Sequence, residues 1–164
     1  MDMKFDYFMA FLEETDRIID MLNGGELEDI RMKSKFWRRE LVFKVYDDFL
    51  PPFDRRDMLG IVQNLSYVSY EIYNFINLNG IQKISPYKPE IINAVSAVQG
   101  EIAKLKSKKC NILRLKGKAE KLLSVWVNAY KLGVKKEICD SLEAIADSFV
   151  KLCDAIETAV VVNS

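Results

Sequence analysis

The chain has 164 residues, of which 49% are apolar and 29% charged, a balance that excludes a disordered or collagen-like polymer and suits one globular domain or two fused repeats. It contains no histidine, which excludes Ser-His-Asp and Cys-His catalysis, histidine-ligated metals and pH sensing through imidazole. Basic and acidic residues number 24 each, yet residues 1–80 carry 10 basic and 15 acidic groups while residues 81–164 carry 14 and 9, so the neutral whole joins halves of −5 and +5.

Glycine and proline are scarce, at seven and four, which favours helices. Phe5, Phe8, Leu12, Thr15, Ile19 and Leu22 step by three and four, predicting a first helix closed by Asn23-Gly24-Gly25. Leu27, Ile30, Ser34, Trp37 and Leu41 begin a second helix that runs through Val45 to Phe49 and stops before Pro51-Pro52. Asp54 is placed to cap a third, with Asp57 in a capping-box position and Met58, Val62, Leu65, Val68, Ile72 and Ile76 on its apolar side. The stretch from Asn77 to Pro89, which contains Gly80 and Pro86, reads as a linker at the midpoint.

Beyond it, Ile91, Val95, Val98, Ile102 and Leu105 form a fourth stripe. Ile112, Leu115, Ala119, Leu122, Trp126 and Ala129 form a fifth, and Leu142, Ile145, Phe149, Leu152, Ile156 and Ala159 a sixth. The pattern predicts an all-α six-helix bundle. Arg55-Arg56-Asp57-Met58 finds a parallel in Lys135-Lys136-Glu137-Ile138, 80 residues on, at the start of the third helix of each half. Two three-helix repeats follow, residues 1–79 and 80–164, forming one continuous helical domain.

Cys110, Cys139 and Cys153 lack C-x-x-C spacing, and the last two would stand about 21 Å apart on one helix, so free buried thiols are expected. Cys110, beside several lysines, is a candidate for an activated thiol. No run approaches the roughly 18 apolar residues of a membrane span, and Met1-Asp2-Met3-Lys4 has no signal-peptide pattern, so a cytoplasmic location is expected. There is no constellation of nucleophile, base and orienting group, and no glycine-rich phosphate cradle, so an enzyme is not expected.

A duplicated triplet with Asp47-Asp48-Phe49-Leu50-Pro51-Pro52-Phe53-Asp54-Arg55-Arg56-Asp57 at its second turn resembles the PhoU-like proteins, specifically the branch of phosphate-transport regulators. Lys136-Glu137-Ile138-Cys139-Asp140-Ser141-Leu142-Glu143-Ala144-Ile145-Ala146-Asp147 is similar to that branch's last helix, and the chain is shorter than typical members around the linker. The resemblance implies surface acidic motifs, Glu or Asp followed four positions later by Asp, that hold iron, zinc or another metal. Residues four apart share a helix face, and clustered carboxylates repel unless a cation neutralises them.

Glu143 with Asp147 keeps the motif, and Glu120 keeps one acid on the fifth helix beside Lys116. These three are the candidate ligands of a degenerate site for a divalent or iron-type ion. In the same register the acidic pairs of the first half fall on Arg31 and Lys35 and on Ser66 and Tyr70. Cations in those places replace a bound metal with internal ion pairs or convert the site into one that attracts phosphate; the sequence leaves both open.

Residues 104–121 carry eight cations against Glu120 alone, and Lys106, Lys108, Lys109 and Lys116, with Arg31 and Lys35, form the candidate anion or partner surface. A solvated turn, an acidic partner, an anionic membrane and nucleic acid are all consistent with that stretch, although no aromatics are interleaved for base stacking. The resemblance implies a non-enzymatic accessory or regulatory protein of inorganic phosphate transport. Such a protein would touch the phosphate transporter or its signalling partner at the inner face of the membrane, and a homo-oligomer is compatible with this. A metal-binding or metal-storing bundle is the alternative, and an adaptor binding nucleic acid through residues 104–121 a second.

Overall fold

A computed structural model of the chain describes residues 4–107 and 109–163. Six long helices account for most of them: α1 (Tyr7–Leu22), α2 (Leu27–Asp47), α3 (Arg55–Asn79), α4 (Lys88–Ala103), α5 (Ile112–Lys131) and α6 (Lys136–Asn163). No strand occurs among the described residues. The helix starts are set by side chains that take up orphan N–H groups: Asp6 accepts from Met9 N at 3.0 Å, Glu26 from Asp29 N at 2.6 Å, Asp54 from Arg56 N at 2.8 Å and Asn111 from Arg114 N at 3.0 Å. Gly24 and Gly133, at φ of +89° and +77°, supply the left-handed residue after α1 and α5.

The first three helices pack against one another, with α1 on both α2 and α3. The second half joins them along two seams, α4 on α1 and α6 on α3, while α5 lies between α4 and α6. The α3–α6 pair is the most extensive, and one apolar core runs through both halves. Trp37 is buried in it and donates Nε1–H to Ala10 O at 2.8 Å, whereas Trp126 is half-buried.

Several local expectations are corrected. Phe8, Thr15 and Leu22 of the predicted α1 stripe are buried, whereas Phe5 lies outside the helix and is 41% exposed and Leu12 and Ile19 are only half-buried; Phe11, Glu14, Ile18 and Met21 are buried beside that stripe. The buried face is wider than the predicted stripe and includes a glutamate, by its charge a surface residue. α2 ends at Asp47 rather than Phe49. Asp57 makes no capping box; its Oδ2 accepts from Asn163 Nδ2 at 2.9 Å and ties the start of α3 to the end of α6.

The midpoint linker is almost wholly helical. α3 persists to Asn79, Gly80 turns the chain at φ +91°, and a single turn at Ile81–Ile84 and a 3-10 turn at Ser85–Tyr87 lead into α4. Pro86 and Pro89 both sit in first turns, where a missing N–H costs nothing. Among the described residues no helix is long and apolar enough to cross a membrane.

Candidate functional site

The α2–α3 pair encloses a cleft of about 610 Å³, within the range of small-ligand sites. α2 buries Ile30, Ser34, Trp37, Leu41 and Val45, so Arg31, Lys35 and Arg38, each one step along from a buried position, stand together at the edge of that stripe. They line the cleft with Arg39, and Gln63, Ser66, Tyr67 and Tyr70 of α3 face them. The two pairs placed in one register by the sequence, Arg31 with Lys35 and Ser66 with Tyr70, are thus brought into one cleft.

The cleft is cationic because its cations are not internally neutralised. Arg31 lies over the rings of Tyr70 and Tyr73, 5.0 and 5.4 Å from their centroids, and Tyr73 donates to Glu28 Oε1 at 2.7 Å. Among the described residues none of Arg31, Lys35, Arg38 and Arg39 forms an ion pair with a carboxylate. Internal ion pairing, one of the two outcomes open for Arg31 and Lys35, is therefore absent among the described residues.

The wholly buried side chain of Glu14, from α1, lines the floor. Its Oε1 accepts from Arg17 Nη1 and from Ser34 Oγ, each at 3.0 Å, and Ser69 Oγ donates on to Ser34 Oγ at 3.4 Å. Glu14 Oε2 and Ser66 Oγ are buried with no hydrogen-bond partner among the described residues. Burial pushes the Glu14 carboxyl above the usual carboxylate range, against the opposing pull of its bonds to Arg17 and Ser34. Sequence reasoning missed this residue; the signal available was its three-and-four spacing from Phe11 and Ile18.

The candidate metal ligands are arranged differently. Glu143 is half-buried on α6, and Asp147 and Glu120 are exposed. Lys116 turns to Glu157 at 2.7 Å, a contact that holds its ammonium above the usual lysine range. Among the described residues no three Asp, Glu, Cys or His side chains gather to hold a metal ion.

The basic stretch is partly engaged. Lys104 pairs with the buried Glu101 at 3.4 Å, and Lys106 reaches Asp6 at 3.5 Å and lies over the Phe8 ring. Lys109 is exposed, and Lys108 lies outside the described residues. All three thiols are free, Cys139 and Cys153 buried and Cys110 half-buried. Burial, together with nearby Glu101, pushes Cys110 up to about 11, which corrects its reading as an activated thiol.

A second feature escaped the sequence reading. Met32, Phe36, Phe43 and Tyr46 are 71%, 63%, 70% and 65% exposed, and their spacing puts them along the side of α2 that faces away from the core. Comparison with known protein families and with curated proteins finds no match to the chain.

Proposed function

We propose that the protein is a PhoU-like regulator or accessory subunit of inorganic phosphate transport, a six-helix bundle of two three-helix repeats that acts by protein contact rather than catalysis. Three things support the reading. The sequence resembles that family over both halves. Like-numbered helices meet across the halves, α1 with α4 and α3 with α6, as expected of a duplicated triplet. The exposed face of α2 is a surface built for a partner.

The last observation carries the proposal. Burying one such large apolar side chain is worth roughly 1.5–3 kcal/mol, so three aromatics and a methionine on one helix face, beside a row of cations, suit an amphipathic and acidic segment of a transporter or its signalling partner. Docking there places the bundle at the inner face of the membrane through its partner.

Uptake of labelled phosphate, compared in phosphate-rich and phosphate-poor medium, tests the role. Cells lacking the protein lose the difference in uptake between the two media; the wild-type chain restores it, and a Met32→Glu, Phe36→Glu chain does not. Normal regulation without the protein, or full rescue by that variant, refutes the reading.

A further inference from the structure

The α2–α3 cleft makes two opposite demands on a ligand. Arg31, Lys35, Arg38 and Arg39 present N–H donors that no carboxylate among the described residues takes up, so the ligand must bring anionic oxygens. Glu14 Oε2, buried on the floor without a partner, needs a donor. An oxyanion that keeps a proton of its own meets both demands with a single group.

We propose that this cleft binds inorganic hydrogen phosphate, its anionic oxygens accepting from the α2 cations and its P–OH donating to Glu14 Oε2. The unpartnered Ser66 Oγ, on the opposite wall, supplies a further hydroxyl to the same ligand. Glu14 is positioned to accept that proton, because Ser34 and Arg17 fix Oε1 and Ser69 fixes Ser34, which leaves Oε2 as the free acceptor.

The arrangement selects by proton count. Sulfate matches phosphate in size and shape but has no proton near neutral pH, so it would set an anionic oxygen against the buried carboxylate. A phosphomonoester, whose second pKa is about 6, has lost its proton at about pH 8, where inorganic phosphate retains one. A charge-assisted hydrogen bond replaced by a like-charge contact costs at least about tenfold in affinity. The same logic separates a free phosphate from the phosphomonoester of a lipid headgroup.

Calorimetric titration of the purified full chain at about pH 8 with phosphate, sulfate and methyl phosphate tests the site. Saturable phosphate binding is expected, with both other anions at least about tenfold weaker. Lys35→Gln and Arg38→Gln, both at exposed positions, weaken phosphate binding without altering the fold as read by circular dichroism. Glu14→Gln, whose amide donates to either anion, brings phosphate and sulfate affinities to within about threefold of each other.

No phosphate binding at about 10 mM, or equal binding of phosphate and sulfate by the wild type, overturns the assignment even if Glu14→Gln does not fold. Binding of methyl phosphate as tight as that of phosphate, or tighter, overturns it as well. The site rests on the cleft's geometry and not on the regulatory reading, so failure of this titration leaves the uptake experiment to judge that reading separately.

Discussion

Replacing Glu14 with glutamine isolates the energetics of the buried carboxyl. Its folded-state pKa is raised above its unfolded value, chiefly by desolvation, so the folded chain binds more protons in the interval between the two. The stability it contributes is fully present below the unfolded pKa and is lost as pH rises to the folded pKa, at roughly 1.4 kcal/mol per pH unit. Charged groups near it on the packed helices are Arg17 of α1 and Arg31, Lys35, Arg38 and Arg39 of α2, and the Tyr70 phenol of α3 lines the same cleft.

In the variant the amide oxygen still accepts from Arg17 and Ser34, so the lost charge assistance costs about 1 kcal/mol. Against this stands the effective penalty of an ionised buried carboxylate, several kcal/mol before pairing. The two proteins should therefore be equally stable, within about 1 kcal/mol, near pH 4, and the variant more stable by about 1–3 kcal/mol at pH 7. Urea unfolding followed by tryptophan fluorescence, with Trp37 as an internal reporter bonded to Ala10, measures both arms. A difference independent of pH, or a variant less stable at pH 7, refutes the reasoning.

Gly80 has φ +91° and ψ 154° with open space around it, so Gly80→Ala should cost about 1–3 kcal/mol by backbone strain alone; Gly100→Ala, in open space within α4, should instead stabilise by about 0.5–1 kcal/mol, both read from denaturation midpoints. Trp37→Phe removes the bond to Ala10 and leaves a small void, for an expected loss of about 1–3 kcal/mol in the same assay. The Met32→Glu, Phe36→Glu chain should keep its stability within about 0.5 kcal/mol, because both side chains already face water. Cys110 and Cys153, pushed up to about 11 and 12 chiefly by burial, should resist iodoacetamide at pH 7 until urea unfolds the chain, followed by mass spectrometry.

Helix number and most helix ends were readable along the chain because they depend on near neighbours. Apolar residues three and four apart must share a face, Gly24 and Gly133 accept positive φ, and Asp54 reaches the N–H two residues on. Arg31 and Lys35 share a face of α2, and Ser66 and Tyr70 a face of α3, for the same reason; that the four line one cleft is a matter of packing.

The tertiary structure decided the rest, since burial of a polar group is set by helices distant in sequence. The spacing of Glu14 from Phe11 and Ile18 puts it on the core side of α1, but a carboxyl is tolerated there because Ser34, 20 positions away, brings it a hydroxyl that Ser69, 55 positions away, supports in turn. Arg31, Lys35, Arg38 and Arg39 became a cationic cleft rather than a set of ion pairs because the wall that α3 turns toward them carries Gln63, Ser66, Tyr67 and Tyr70 in place of acids. The sequence by itself determined six rods and their ends; which faces those rods leave to water, and which charges they leave unpaired, depended on packing across the whole bundle.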